Sequence, residues 1–528
     1  MTLLLLLMAC LLSYRFTGYP DIRPFHPEQI PPPWGAMTPA ESVLVIAPHC
    51  DDETLGCGGL LSYAAACGSR VRVVVMTNGD GFPAAAGFGG LGRASRADRY
   101  TQLGSARQRE TLSALRILGV EEHDVTFLGY PDGGLAKLWN ENWEYTNPLT
   151  SRYTRVESSP YPTSFTPGAL YCGRAVVDDL CEIISEFAPS LLFVPHPNDA
   201  HPDHWATHAL TTTALQRLSG QGKLSPDTRV FAYLIHRGDW PVPRFAMLRG
   251  TLDPPSTLRH MPFEWIYQPL DDDIVAQKRR AILEYRSQVA IMRSYLLSFA
   301  RRNELFTALH TTLARQLDEQ LGEQLGEGGP SETDRDLFWS QAEPVTHDPR
   351  DDTIGRRLSG AADLSSVSAA LWGDTLYLMI RPRVAVSATV RYTVRVCAFA
   401  DDGNDPTGDG GLSAGGVVGD RRGTIDRTMA VFNIGPGYTL STRFNHGLAG
   451  ASLKLRRTGR GLELGIPLQL LEGSRTQTPD EVFFTVESSI GGIGVDRIGW
   501  TVLRLRPDVP DVYNGQTSRG SPDAGADR

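Results

Sequence analysis

Residues 43–76 read VLVIAPHCDDETLGCGGLLSYAAACGSRVRVVVM, and this stretch decides the fold class. Residues 43–47 form an unbroken apolar run, the mark of a strand covered on both faces, since a half-exposed strand would alternate. Residues 54–67 are helical and stop at Gly68, and residues 71–76 are a second, β-branched strand. Strand, helix and strand in direct succession predict a parallel βαβ unit. The pattern continues outward with helices over 106–118, 175–187 and 204–218 and strands over 125–128, 191–194 and 230–235. The expectation is α/β, a Rossmann-like parallel sheet covered by helices. Two long loops, 78–104 and 132–170, are rich in Gly, Pro, Ser and Thr, and loops of that length are usually functional.

Further along the period changes. From 271 to about 324 the chain is charged and helical, with Ile282, Tyr285, Val289, Met292 and Leu296 at helical spacing, a stripe that must pack on the α/β layer. Beyond a linker the period becomes two: Val390, Tyr392, Val394 and Val396 alternate with Arg391, Thr393 and Arg395. Short alternating strands between Gly- and Asp-rich turns predict a C-terminal antiparallel β-sandwich. The expected division is 1–40 as an apolar segment with a Pro-rich connector and 41–325 as the α/β domain with its helical extension. After these come 326–341 as linker, 342–507 as sandwich and 508–528 as a disordered polar tail.

A chain of 528 residues has room for this at roughly 100–200 residues per domain. With 41% hydrophobic and 21% charged residues it is neither disordered nor collagen-like. A net charge of -9 argues against nucleic acid as a partner, because phosphate backbones are held by clustered Lys and Arg. No protein partner can be inferred. Seven cysteines without a C-x-x-C pair exclude a four-Cys zinc module and give no disulfide framework. Residues 3–12, LLLLLMACLL, have the length of a signal-peptide core and fall short of the ~20 residues of a membrane span. An exported or membrane-attached, extracytoplasmic protein is expected, with a cytoplasmic one the alternative.

The chemistry sits after two strands. Pro48-His49-Cys50-Asp51-Asp52-Glu53 comes directly after the first strand, and ligands of parallel α/β sheets gather at strand carboxyl ends. One histidine and three carboxylates in five residues repel unless a cation compensates. Asp199-Ala200-His201-Pro202-Asp203-His204 comes after the strand at 191–194 and opens a helix. Brought to one sheet edge, the two clusters offer a His/His/Asp set suited to zinc with one position open for water. His208, one helical turn on, is read as a supporting or surface histidine, with metal ligation the alternative.

PHCDDE with TLGCGG directly after it, together with HPDH opening a helix, resembles the N-acetylglucosaminyl-phosphatidylinositol de-N-acetylase-like (LmbE-like, PIG-L) family of zinc deacetylases. Arg107-Gln-Arg-Glu110, Phe127-Leu-Gly-Tyr-Pro-Asp132-Gly-Gly and the YRSQ of residues 285–288 agree with it, so the resemblance covers about 41–306. It implies zinc-dependent removal of an N-acetyl group from an amino sugar or glycoconjugate, with Zn2+ or another divalent metal held by His49, Asp52 and His204. By the same resemblance Asp51 is the general base acting on metal-bound water. His201 protonates the leaving amine or stabilises the oxyanion, Asp203 orients it, and Arg107 and Asp132 contact sugar hydroxyls. His236, after a strand, is a candidate to line the pocket. Cys50 stands where the family has proline, which is expected to alter the turn or to add a thiolate beside the metal.

In the second domain, Ala362-Asp363-Leu364 and Trp372-Gly-Asp-Thr-Leu-Tyr377 resemble DOMON-like and family-nine carbohydrate-binding sandwiches, which implies either a glycan bound there or a module that only stabilises the enzyme; Trp372 is read as a core or turn aromatic, with stacking on a sugar the alternative. The Asp-rich loops 348–352 and 401–405 are candidate Ca2+ sites, solvated turns being the plainer alternative. Two other functions stay open: amide hydrolysis on a non-sugar N-acyl conjugate, and a catalytically decayed carbohydrate-binding or scaffold protein.

Overall fold

The computed structural model describes residues 38–514 apart from 39, 87–94, 239, 260, 317–331, 350–359, 402–424, 445–452, 460 and 473–477. Strand β1 (Ser42–Ala47) is buried along its whole length, as its unbroken apolar run requires. A turn at His49–Asp51 leads into α1 (Asp52–Cys67), which Gly68 ends at φ 78°. Next along the chain are β2 (Arg70–Thr77), α2 (Arg96–Ile117), β3 (Val125–Tyr130), α3 (Leu135–Asn140), α4 (Gly173–Phe187), β4 (Leu191–Pro195), α5 (Pro202–Gly220) and β5 (Arg229–Tyr233). The first sheet is completed by β6 (Glu264–Pro269) and β7 (Asn303–Ala308). Its order is β3-β2-β1-β4-β5-β7-β6, with β1 to β5 parallel. From β1 the chain passes to β2 on one side and later returns through β4 on the other. The crevice between the carboxyl ends of β1 and β4 is therefore the switch point where ligands of such sheets bind. Both His/Asp clusters emerge there.

Small residues let α1 lie close to its neighbours. A Cβ on Gly56 would come within 2.4 Å of the Tyr233 ring, and one on Gly59 within 2.4 Å of Leu270.

The stretch expected to be helical from 271 to 324 is different. It holds two helices, α6 (Asp272–Ile282) and α7 (Arg286–Leu297), and then strand β7. β7 pairs antiparallel with both β5 and β6. Its six residues include Glu304, which hides a strand inside a charged stretch. Glu304 is buried because Lys278 of α6 lies 2.6 Å away, also fully buried. Together they serve α1 at its middle: Lys278 donates to the Leu55 carbonyl at 2.8 Å, and the Glu304 carboxylate accepts the Gly59 and Leu60 amides at 2.6 and 2.8 Å. Lys278→Met should strand that carboxylate and destabilise the protein by about 3–5 kcal/mol. Urea unfolding reads this, and an unchanged midpoint would remove the pair's structural role.

The second domain is the expected antiparallel sandwich, entered earlier than expected. β8 (Thr312–Leu313) and β9 (Arg315–Gln316) already pair with its strands, and helix α8 (Glu332–Gln341) fills the end of the stretch read as linker. β10 (Thr346–His347), β11 (Leu364–Trp372), β12 (Thr375–Pro382), β17 (Leu462–Pro467) and β16 (Lys454–Arg457) make one sheet. β15 (Leu440–Phe444), β14 (Ile425–Ile434), β13 (Arg391–Asp401), β18 (Glu481–Ile490) and β19 (Ile493–Arg504) make the other, with β8 at its edge. Tyr392, Val394 and Val396 meet Leu376, Leu378 and Ile380 in the core between them, as the period-two pattern predicts.

The two domains share one core. Trp139 lies 5.4 Å from both Phe483 and Trp500, Trp143 lies 5.4 Å from Phe399, and the Arg427 guanidinium sits 4.6 Å over Trp143. Each such aromatic pair adds about 0.5–1.5 kcal/mol beyond its buried area. The tail expected to be disordered is ordered as far as Asn514: Val512 and Tyr513 are buried, and the Tyr513 carbonyl accepts the Val230 amide at 3.0 Å. Its polar composition conceals these two anchors. Expectations for residues 3–12, 326–330, 402–405 and 515–528 fall outside the described residues. Among the described residues no helix is long and apolar enough to cross a membrane.

Candidate metal centre and active site

Asp51 has φ 128°, a conformation that side-chain-bearing residues rarely adopt and that costs of order 1–3 kcal/mol. The surroundings hold it there. Its amide donates to Glu53 Oε2 at 3.1 Å, and Glu53 in turn accepts from Tyr285 Oη and from Thr54 Oγ1. Arg107 donates to the Gly79 carbonyl at 2.8 Å and to the Cys50 carbonyl, and its Nη2 is 3.3 Å from Asp51 Oδ2. The bend sends the two neighbouring carboxylates different ways. Asp51 faces Arg107, while Asp52 Oδ2 lies 3.0 Å from His49 Nδ1 and 3.1 Å from His204 Nε2.

His201 is the N-cap of α5, with Pro202 at the first helical position, where a missing amide proton costs nothing. Its Nδ1 accepts the Asp203 amide at 3.3 Å, so Nε2 carries the proton and is free to donate. The Asp203 carboxylate does not orient His201, contrary to expectation. It accepts the Gly133 and Leu135 amides at 2.7 and 3.0 Å and lies 3.3 Å from His49 Nε2. Asp132 Oδ1 is 3.3 Å from that same nitrogen, and Asp132 Oδ2 accepts the Gly81 amide. Thus His49 has one nitrogen toward Asp52 and the other toward Asp132 and Asp203, the second-partner arrangement common for metal-binding histidines.

Asp199 is the residue sequence reasoning passes over. It accepts the amides of His201 at 2.9 Å, Ile235 at 3.1 Å and His236 at 2.9 Å, and lies 3.1 Å from His204 Nδ1. It stands in the same short cluster as His201 and His204, but only the loop's curl shows which histidine it serves. His236 does come into the site: its ring centroid is 4.7 Å from His204 and 5.2 Å from His201, and its Nδ1 is 3.3 Å from Tyr295 Oη.

Burial opposes the charged form of His49 and His204. Hydrogen bonds that His49 donates to Asp132, Asp203 and Asp52 more than reverse this, and its ring stands well above the ordinary imidazole value. Asp199 and Asp52 raise His204 to about 9. Burial also opposes ionisation of Asp52, but His204 and His49 hold it well below the usual carboxylate range. Burial pushes Asp51 up against the pull of Arg107. Burial, with His49 and His204, takes His201 down to about 4, in keeping with an imidazole whose Nε2 carries the only proton.

Three overlapping sets have ligand atoms within 4.8 Å of one another: His49/His201/His204, Asp52/His204/His236 and His49/Asp132/Asp203. Imidazole with carboxylate is the donor mixture zinc takes. Both His204 nitrogens are buried beside carboxylates, yet neither makes a well-aimed hydrogen bond. These residues fit a divalent cation, and the expected trio His49, Asp52 and His204 is divided between the first two sets, joined through Asp52 Oδ2.

Five further positions singled out by sequence have defined surroundings. Arg107 is buried and spent on Asp51 and two carbonyls, which leaves it a positioning group rather than a sugar contact. Cys50 is buried, burial pushes its thiol up to about 12, and it belongs to none of the three candidate ligand sets. His208 is not a ligand: its Nδ1 is 3.2 Å from the Pro195 carbonyl and its Nε2 3.2 Å from Tyr513 Oη. Trp372 is half-buried against Tyr377 and beneath Arg335. Of the calcium-loop residues, the Asp348 carboxylate meets Asp363 and Asp496, and Arg383, 2.8 Å from Asp363, already pairs part of that charge.

The class these features define is an α/β domain with a buried His/Asp metal-type centre at the switch point of its sheet. Residues 44–215 match the family model described as GlcNAc-PI de-N-acetylase (PIG-L). It is 32% identical over 180 residues to a 1D-myo-inositol 2-acetamido-2-deoxy-alpha-D-glucopyranoside deacetylase of Corynebacterium kroppenstedtii, covering 33% of this chain and 41% of that one. A protein of the same name from Mycobacterium sp. strain KMS is 28% identical over 236 residues, covering 44% of this chain and 63% of the relative. The chain thus spans between two fifths and two thirds of the length of these relatives. Among solved structures, N,N'-diacetylchitobiose deacetylase from Pyrococcus horikoshii is 21% identical with a TM-score of 0.32, covering 51% of this chain and 84% of that one.

Proposed function

We propose that the protein is a zinc-dependent hydrolase that removes the acetyl group from an N-acetylated amino sugar or its glycoconjugate. The observation that carries this is the divergence of Asp51 and Asp52, which puts a base and a ligand side by side without either doing the other's task. His49, Asp52 and His204 would hold the cation. When bound, it supplies Lewis acidity to the amide carbonyl and to water.

The chain's own residues do the rest. Asp51, held by Arg107, takes a proton from the attacking water as the water oxygen bonds to the acyl carbon. His201 Nε2–H donates to the oxyanion that develops on the former carbonyl. Asp51 then returns its proton to the leaving nitrogen, the C–N bond breaks, and the amine leaves with acetic acid, whose remaining proton passes to solvent or to the amine to give acetate. Asp199 holds the His204 and His236 side of the loop in register throughout.

The amino-sugar choice is supported by the names of the matching relatives, each a deacetylase of an acetamido sugar. The test is acetate release by zinc-loaded protein from N-acetylhexosamine oligomers and inositol-linked N-acetylglucosamine. We expect turnover of at least one of them. No turnover with zinc bound would move the substrate to a non-sugar N-acyl conjugate, and neither zinc nor turnover would favour the decayed scaffold. Export, expected from residues 3–12, belongs to the same proposal and is read by fractionating cells that express the full chain.

A further inference from the structure

We propose that the C-terminal sandwich is a working part of the metal site: strand β19, through Gly499 and Arg497, sets the loop 195–205 that aims His201 and His204. The inference rests on the reading of His204 as a metal ligand and goes beyond it to a second domain that the family match does not include.

One tight approach is at Gly499. A Cβ there would lie 2.9 Å from Asn198 Oδ1 and 2.9 Å from the Pro197 carbonyl oxygen, so β19 rests directly on the loop's backbone. The next residue of the loop is Asp199, whose carboxylate gathers the His201, Ile235 and His236 amides and faces His204 Nδ1 at 3.1 Å. A shift at 197–198 therefore reaches the His204 ring through one side chain. Two residues earlier on β19, Arg497 places its guanidinium 4.7 Å over the ring of Trp205, the neighbour of His204. Further along α5 the same domain holds on again: Tyr513 Oη meets Thr212 Oγ1 at 3.0 Å and His208 Nε2 at 3.2 Å, and Gln216 donates to Glu481 at 2.5 Å. The helix that begins with the ligand motif is thus gripped at its start and along its length by the sandwich. Groups that orient metal ligands from behind typically change metal affinity or activity by 10–100-fold when altered.

β19 supplies its own control. A Cβ on Gly494 would meet nothing within 4 Å. Gly499→Ala and Gly494→Ala are made in the full chain and loaded with cobalt(II) in place of zinc. The visible cobalt spectrum and the cobalt Kd, read by chelator competition, are compared with wild type, alongside kcat and KM on whichever N-acetyl sugar wild type cleaves. Gly499→Ala should change the spectrum, weaken cobalt by about 10-fold or more and lower kcat with KM little changed, while Gly494→Ala matches wild type. A wild-type spectrum and Kd for Gly499→Ala, or equal shifts in both variants, would overturn the proposal. If Gly499→Ala does not fold, Arg497→Gln decides instead: it inserts nothing, it should weaken cobalt in the same direction, and an unchanged Kd counts against the proposal. Wild type that binds cobalt but releases no acetate would sink the deacetylase reading while leaving the cobalt comparison intact.

Discussion

Asp52→Ala should lose zinc and activity together. Its Oδ2 lies within 3.1 Å of both His49 Nδ1 and His204 Nε2, so it is the hinge of the donor set. Removing one of three protein ligands leaves the cation poorly held, because ligand count and geometry carry most of the binding free energy. The loss is compounded by charge. Asp52 is among the partners that raise both His49 and His204, and without it those rings lose a countercharge that burial makes expensive to replace. Metal analysis after gel filtration should find well under one zinc per chain, with acetate release at background. Full zinc occupancy in Asp52→Ala would remove it from the ligand set.

Much of this site can be read from the chain because parallel sheets put their ligands in a predictable place. The unbroken runs at 43–47 and 191–194 mark fully covered strands, and the loops leaving their carboxyl ends arrive at the same crevice. Hydrophobic period gives the strands, and the strand ends give the site. Period carries no information about which way a carboxylate turns. Proximity in sequence assigns Asp203 to His201, whereas the cap geometry of α5 uses the Asp203 amide for His201 and frees its carboxylate for His49. A match of position assigns Arg107 to a sugar contact. In the fold α2 passes behind the turn at Asp51, and the guanidinium is consumed there.

Strand β7 escapes a sequence reading for a related reason. Glu304 is acceptable inside a sheet only because Lys278, twenty-six residues earlier, reaches it, and no local window contains both. The same holds for Tyr513, which is anchored on α5 roughly three hundred residues away in sequence. Contacts of this range are set by tertiary packing and leave no periodic trace.

Asp51→Asn separates the base from the ligands. Asparagine is nearly isosteric and tolerates positive φ about as well as aspartate, so the turn at φ 128° should survive, with Glu53 still accepting the residue's amide. Asp52, His49 and His204 are left untouched, and zinc content should stay at the wild-type level. What goes is the carboxylate that faces Arg107 and that, in the proposed mechanism, receives the proton of water. Loss of a positioned general base costs roughly 10²–10⁴-fold in rate, and the fall should appear in kcat, because the group acts on the water rather than on substrate binding. Arg107 remains in place through its bonds to the Gly79 and Cys50 carbonyls, so the defect is chemical and not a collapse of the turn. Zinc analysis and acetate release on the same sample decide it. An Asp51→Asn protein that has lost its zinc, beside an Asp52→Ala protein that has kept it, would reverse the two roles even in a working deacetylase.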